Sequence, residues 1–261
     1  MLIADVHTHI FPDPIAQKAS DAIGDFYSKP SDHIACLNTL SQQEDLAGID
    51  CFATCSSATA PSQVAHINEF IAQCSQATKN LVPIGSLYPT MEHWEAALEH
   101  LQELGMKGVK IHPDFQKVHI DDPRAVDMYR GIAKTGLPVL FHMGDPRYDY
   151  SAPERLTNLI RQVPDLVAIA AHFGGWNSWD RSFSHTLPEN VFYDTSSSLM
   201  YLEKEKALAF IDKIGPHRFL FGSDFPMWTP KQELERFLSL GLDQSSNEQI
   251  LYLNFKKLFL A

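Results

Sequence analysis

Eight short apolar runs recur along the chain, and each ends in or just before a polar residue. The runs are rich in Val, Ile, Leu and Phe. They are continuous rather than alternating, which is typical of strands buried on both faces of a parallel sheet. We therefore predict strands at 2–9, 49–56, 81–88, 108–112, 138–143, 166–173, 191–197 and 218–224.

Segments with helical spacing separate these strands. Residues 92–104, 123–134 and 153–163 carry apolar side chains three or four positions apart, and each segment stops at a Gly or a Pro, as helix termini do. Eight strands alternating with helices predict an α/β fold, a (β/α)₈ TIM barrel that forms a single domain over residues 1–261. No G-x-G-x-x-G or P-loop pattern follows a strand, which disfavours the common nucleotide-binding folds.

The first β–α unit is longer than the others because residues 10–31 follow its strand. We expect a loop insertion here. In a barrel it would lie on the catalytic face, either as part of a lid or pocket wall or as a structural loop that covers the rim.

Charge and hydropathy limit the partners of the chain. The net charge is −11, whereas nucleic acids and anionic membranes bind basic surfaces. We find neither a membrane-spanning apolar run nor a signal-peptide core. Four cysteines without a C-x-x-C pair indicate reduced packing thiols. We predict a cytoplasmic protein with a small-molecule substrate and no nucleic-acid or membrane partner; a homodimer is compatible with this assignment.

Histidine and aspartate side chains concentrate at the ends of the predicted strands, where barrels build their active sites. These residues are His7, His9, His112, His142, His172, Asp194 and Asp224. Because His7 and His9 are two positions apart on one strand, both imidazoles can face the same side and bind one ion. With His142 and Asp224 they predict a divalent-metal site, since imidazole and carboxylate are common ligands of such ions.

Four segments resemble motifs of the amidohydrolase superfamily: DVHTHIF, FHMGD, AHFGGW and FGSDFP. The resemblance spans nearly the whole chain, and the most similar branch includes aminocarboxymuconate-semialdehyde decarboxylase and related decarboxylases, lactonases and hydratases. It implies a (β/α)₈ barrel with one divalent metal, Zn as the first choice and Mn, Fe or Co as alternatives. By that resemblance His7, His9, His142 and Asp224 are the ligands, and His172 is the catalytic histidine.

Four further residues are candidates for roles around the metal. In binuclear members of the superfamily a strand-four lysine is carbamylated and bridges two metals, and Lys110 stands at such a position. The decarboxylase-like branch is usually mononuclear, so we expect Lys110 to be a nearby cation and His112 to support a ligand or contact substrate. Asp194 is expected to be structural or to support a ligand. Arg147 is close in sequence to His142, so it could bind a substrate carboxylate.

This set of residues fits two reactions. A divalent ion activates water and polarises a carbonyl group. With Asp224 as proton acceptor and His172 orienting the water or stabilising an oxyanion, the site would hydrolyse a small ester, lactone or amide. A metal-dependent hydrolase is therefore our main prediction. A non-oxidative decarboxylase (a lyase) acting on a small carboxylated aromatic or enoate would use the same residues and stays open as the alternative.

Two other classes fit less well. PHP-type phosphoesterases also begin with His-x-His, but they normally end with Asp-x-His, whereas Asp224 is followed by Phe225 and Pro226. A barrel with a purely structural metal is disfavoured because the predicted set leaves a coordination position open, as catalytic sites do.

Overall fold

In the computed structural model, which describes residues 1–185 and 187–260, eight strands follow one another in chain order in one sheet. Their registers are parallel. The strands are Ala4–His9 (β1), Cys51–Cys55 (β2), Leu81–Ser86 (β3), Gly108–Ile111 (β4), Val139–Phe141 (β5), Ala168–Ala170 (β6), Val191–Asp194 (β7) and Phe219–Leu220 (β8). Parallel strands in this order, with helices between them, confirm the predicted (β/α)₈ barrel.

The helices occupy the segments between the strands and follow the last one. The α-helices are Asp13–Tyr27 (α1), Leu37–Ala47 (α2), Val64–Ala77 (α3), Trp94–Glu103 (α4), Pro113–Gln116 (α5), Val126–Thr135 (α6), Pro153–Gln162 (α7), Trp179–Ser184 (α8), Lys204–Ile214 (α9), Pro230–Leu238 (α10), Gln244–Glu248 (α11) and Asn254–Phe259 (α12). Short 3₁₀ turns cover Pro61–Gln63, Pro123–Ala125 and Pro216–Arg218, and Gln249–Leu253 is a π-helical turn. In the described part of the chain, no helix combines the length and the apolar character needed to cross a membrane.

Helix α1 corrects the prediction of a loop over residues 10–31. Its buried positions are Ala16, Ser20 and Gly24, four residues apart on one face. These inward side chains are small, so the buried face of the helix carries no large apolar residue. The small size has a packing reason: a Cβ atom on Gly24 would lie 2.9 Å from the carbonyl oxygen of Lys29. The chain after the helix therefore packs directly against it.

Several strands are shorter than predicted and end before their polar residues. His112, His142, His172 and Asp224 all lie just beyond the strands they were assigned to. His172 and Asp224 both have φ 60°, in the left-handed region, which ends extended geometry. The side chains of interest thus project from turns at the carboxyl ends of the strands.

The chain divides into two compact units. The first comprises Met1–Ser56, Cys74–Val82 and Thr195–Ala261. In this unit β1 pairs with β2, from Ala4 opposite Cys51 to His9 opposite Cys55. On its other side β1 is bonded to the segment that contains β8: Val6 N donates to Phe221 O at 2.9 Å, and His9 N donates to Phe225 O at 2.8 Å.

The second unit comprises Ser57–Gln73 and Pro83–Asp194. It contains most of β3 and all of β4 to β7, in regular parallel register. Its core includes Tyr129, Phe141 and Phe173, each at most 1% exposed. Since the residues group into two compact units, the prediction of a single domain stays a prediction.

The cysteines agree with the prediction of reduced packing thiols. Cys36, Cys51, Cys55 and Cys74, all within the described residues, are free thiols. Cys55 and Cys74 are buried, and the other two are partly buried.

Candidate active site

Three predicted ligands of the first unit converge on one point. His7 and His9 lie on β1, and Asp224 follows β8. The Nε2 atoms of the two imidazoles are 3.1 Å apart. Asp224 Oδ1 lies 3.6 Å from Nε2 of His7 and 3.3 Å from Nε2 of His9. All three side chains are at least 85% shielded from solvent, since their exposed fractions are 1%, 12% and 15%. We call this cluster the ligand triad.

The spacing of the ligand triad fits one divalent ion. Ligand atoms bound at about 2.1 Å and separated by angles of about 90° to 110° lie roughly 3.0–3.4 Å from one another. The three separations observed are 3.1, 3.3 and 3.6 Å. Two imidazoles and a carboxylate are also a donor set that Zn, Mn, Fe and Co accept. Both geometry and chemistry therefore suit a metal.

The other nitrogen of each imidazole has its own hydrogen-bond partner. His9 Nδ1 lies 3.3 Å from Cys55 Sγ, which itself lies 3.5 Å from the carbonyl oxygen of Thr8. His7 Nδ1 lies 3.1 Å from Ser196 Oγ. In the tautomer with the proton of each ring on Nδ1, two Nε2 lone pairs and a carboxylate oxygen face one another, and a bound cation would offset their mutual repulsion.

Asp5 links the two backbone segments that carry the ligand triad. This residue is fully buried, and its Oδ1 accepts hydrogen bonds from His7 N at 2.9 Å and from Ser223 N at 3.0 Å. In addition, Asp224 N donates to His7 O at 2.8 Å. The two segments are thus held to each other by one carboxylate and one direct backbone bond.

Three predicted histidines of the second unit also lie together. Nδ1 of His142 is 3.1 Å from Nε2 of His172, and the ring of His142 stacks on that of His112 with centroids 4.1 Å apart. These three residues are at most 4% exposed. His172 is oriented through its backbone, because its N–H donates to Asp194 Oδ1 at 2.9 Å. Asp194 therefore contacts the backbone of the predicted catalytic histidine, and its supporting role stays a prediction.

Asp114, which the sequence analysis missed, belongs to this second group. Its Oδ2 lies 3.6 Å from His142 Nε2 and accepts a 2.5 Å hydrogen bond from Ser151 Oγ. Burial raises the pKa of Asp114 to about 6, and the nearby charge of Asp145 adds to this, while the Ser151 hydrogen bond lowers it. The signal was present in the segment KIHPD, where an acid follows a strand-ending histidine by two residues.

Lys110 and Arg147 occupy different environments. Lys110 on β4 is completely buried. Arg147 is 40% exposed and pairs with the buried carboxylate of Asp145, through Nε at 2.9 Å and Nη2 at 2.7 Å. This bidentate pairing holds the guanidinium in a fixed position. A substrate carboxylate would therefore meet an arginine whose charge Asp145 partly neutralises.

The remaining histidines are outside these clusters, as predicted. None of the seven is buried, and each lies in the described part of the chain: His33, His66, His93, His100, His119, His185 and His217.

A family profile described as Amidohydrolase matches residues 4–260. The chain belongs to the amidohydrolase family. This supports the predicted enzyme class at the level of the superfamily, in the branch that the four sequence motifs resemble. No curated protein sequence matches the chain significantly.

Solved structures with the same fold have low sequence identity to this amidohydrolase. An uncharacterised TIM-barrel protein from Bordetella bronchiseptica is 21% identical, with TM-score 0.76, over 99% of this chain and 98% of that one. A dihydroxybenzoic acid decarboxylase from Polaromonas sp. JS666, with bound manganese and an inhibitor, is 14% identical, with TM-score 0.76, over 99% and 97%. A probable 2-pyrone-4,6-dicarboxylic acid hydrolase from Acinetobacter baumannii is 17% identical, with TM-score 0.72, over the full length of both chains. At these identities the likeness shows the fold.

Proposed function

We propose that this protein is a metal-dependent hydrolase that cleaves a small ester, lactone or amide with an activated water. The observation that carries the proposal is the ligand triad, in which two Nε2 atoms and one carboxylate oxygen lie within 4.8 Å of one another. A divalent cation bound among these three atoms would be attracted by the carboxylate and by the Nε2 lone pairs. The motifs on which the triad stands are those of the family to which the chain belongs.

The proposed ligands are His7, His9, His142 and Asp224. Family resemblance supplies His142 as the fourth ligand and His172 as the catalytic histidine. We propose one Zn ion, with Mn, Fe or Co as alternatives. Manganese was bound in the Polaromonas decarboxylase structure, which supports Mn as an alternative to Zn. A small-molecule substrate suits the family, while a homodimer and a cytoplasmic location stay predictions.

The bound ion would supply water activation and carbonyl polarisation. Asp224 takes the proton of the attacking water and returns it to the leaving group. His172, whose backbone Asp194 holds, donates to the oxyanion that develops on the substrate. Asp114, whose Oδ2 lies 3.6 Å from His142 Nε2, would orient this ring by its charge, as acids beside metal-ligating histidines do. Arg147 is the proposed contact for an anionic substrate group. Two other residues have proposed roles close to the ligands: Lys110 as a nearby cation, and His112 as a support for a ligand or a substrate contact.

Metal analysis tests the first part of this proposal. We expect one equivalent of divalent metal in the purified protein, and less than about one tenth of that in His9→Ala, because loss of a ligand costs at least as much as the 10- to 100-fold typical of a supporting residue. His66→Ala, an exposed histidine on α3, is the matched control and should retain the full equivalent. A metal-free wild-type protein after reconstitution would refute the proposal.

Product analysis tests the reaction. The metal-loaded enzyme is incubated with lactones, esters, amides and ¹³C-carboxylated aromatic acids, and ring opening and ¹³CO₂ release are measured side by side. We expect hydrolysis products, and their loss in Asp224→Asn. Release of ¹³CO₂ without hydrolysis would overturn the hydrolase and establish the decarboxylase alternative, which uses the same residues.

A further inference from the structure

A hydrogen-bonded string of buried side chains leads to the metal-ligating carboxylate. The indole Nε1 of Trp228 donates to Ser197 Oγ at 3.1 Å, and Ser197 Oγ donates to Asp224 Oδ2 at 2.5 Å. The direction of both bonds is fixed, because an indole N–H only donates and a carboxylate only accepts. Trp228 and Ser197 are 7% and 5% exposed, so water does not compete for these bonds.

Two cations hold the ring of Trp228. Lys29 Nζ and the guanidinium of Arg236 each lie 4.2 Å from the centre of this ring. Lys29 is itself anchored by a 2.6 Å bond to the carbonyl oxygen of Met227. Arg236 is anchored by the buried carboxyl of Glu233. Positive charge near the π-system favours the ring in this position and polarises its N–H group, which strengthens the bond to Ser197.

The string divides the two oxygens of Asp224 between different partners. Oδ2 accepts from Ser197, whereas Oδ1 faces the Nε2 atoms of His7 and His9. The backbone of Asp224 is also constrained, since its φ is 60° and its N–H is bonded to His7 O. The carboxylate therefore has one orientation that satisfies all of its contacts.

We propose that Trp228 and Ser197 are positioning residues that hold Asp224 so that Oδ1 alone points to the metal. Trp228 acts through Ser197, and Ser197 acts on the carboxylate. This inference rests on the proposed metal site, because it concerns the presentation of one ligand of that site. It assigns a role to two residues outside the ligand set, and it predicts that removing a single N–H group from Trp228 alters metal binding.

The test uses Trp228→Phe, Ser197→Ala and the double variant. Phenylalanine keeps an aromatic ring and loses the donor. Ser197 has φ 50°, where a β-branched threonine would be strained, so alanine is used there. Metal affinity is measured by competition with a chromogenic chelator, and the Co²⁺-loaded proteins are compared by visible absorption. Trp94→Phe, a partly buried tryptophan on α4, is the matched control.

We expect each single variant to bind metal 10- to 100-fold more weakly and to change the Co²⁺ absorption bands, with thermal unfolding of the metal-free protein little altered. The double variant should be no weaker than Ser197→Ala, because Trp228 has no route to the carboxylate once the hydroxyl is gone. Trp94→Phe should match wild type.

Two results would overturn the inference while leaving the proposed function intact. One is a Trp228→Phe variant with wild-type affinity and spectrum. The other is an equal effect of Trp228→Phe in the presence and absence of the Ser197 hydroxyl, which would mean that the ring acts by packing. A wild-type protein that binds no divalent metal would refute the proposed function, and this inference with it.

Discussion

Glu44 on α2 offers a quantitative test of how burial shapes this protein. The residue is completely buried, and its protonated carboxyl group can donate a hydrogen bond to the side chain of Asp5. Burial raises the pKa of Glu44 well above its ordinary value of 4.5, and the charges of Asp5 and Asp45 raise it further. The folded protein therefore keeps Glu44 protonated at pH values where the unfolded chain ionises it.

The sign and size of the effect follow from proton linkage. Between the ordinary pKa and the raised one, folding takes up one proton at Glu44. The free energy of unfolding therefore falls by about 1.4 kcal/mol for each pH unit through this group. Glutamine has nearly the same shape and does not ionise, so Glu44→Gln removes this slope. The stability of the variant relative to wild type should thus rise with pH from about 4.5 upward.

Urea unfolding of both proteins at half-unit steps from pH 5 to pH 8 measures this difference, with matched metal content in every sample. Contributions from titrating groups that do not interact with Glu44 cancel in the comparison. If burial of the glutamine amide has a fixed cost, that cost lowers the free energy of unfolding of Glu44→Gln by the same amount at every pH. The slope of the difference against pH is then unchanged. The free energies of unfolding of wild type and Glu44→Gln are plotted against pH, and the pH at which these two curves stop diverging gives the pKa of Glu44 in the folded protein. Glu99→Gln on exposed α4 surface is the control and should show no slope. Parallel curves for Glu44→Gln and wild type would refute the reasoning.

Two further predictions concern the loop after β5. Gly144→Ala should destabilise the fold by roughly 2 kcal/mol or more in urea unfolding, since Gly144 has φ 73° and an added Cβ would lie 2.6 Å from the backbone of Gly175. Gly136→Ala separates the strain of a positive φ from the steric clash, because Gly136 has φ 75° and open space around it. This variant should cost only about 1 kcal/mol. Arg147→Ala should raise KM for anionic substrates with kcat unchanged, and an equal change for neutral substrates would argue against a carboxylate contact. Asp145→Asn, which loosens the same guanidinium, should shift KM in the same direction.

The fold was predictable because its strands are buried on both faces and therefore leave continuous apolar runs in the sequence. The candidate ligands were predictable for a related reason, since polar residues at the ends of such runs stand out. Helix α1 was missed although Ile15, Ala19, Ile23 and Phe26 recur at helical spacing. Its fully buried positions are the small residues Ala16, Ser20 and Gly24, which do not stand out as a core face.

The supporting side chains were not predictable. Three small side chains have roles that depend on the hydrogen-bond partners they gain only after folding: Ser196, Ser197 and Cys55. Asp114 differs, because its place two residues after a strand-ending histidine is visible in the segment KIHPD, although its proximity to His142 is not. Sequence periodicity indicates which face of a helix or strand is buried. It does not indicate which hydroxyl group forms a hydrogen bond with which nitrogen.

The pairing of β1 with the segment around β8 has a consequence for the proposed metal site. His7 and His9 are synthesised long before Asp224. A nascent chain that contains only the two histidines would be an incomplete chelator. High-affinity binding would begin only after the segment around β8 has docked beside β1. An ion bound there would link these two segments, and its binding energy would add to the stability of their pairing.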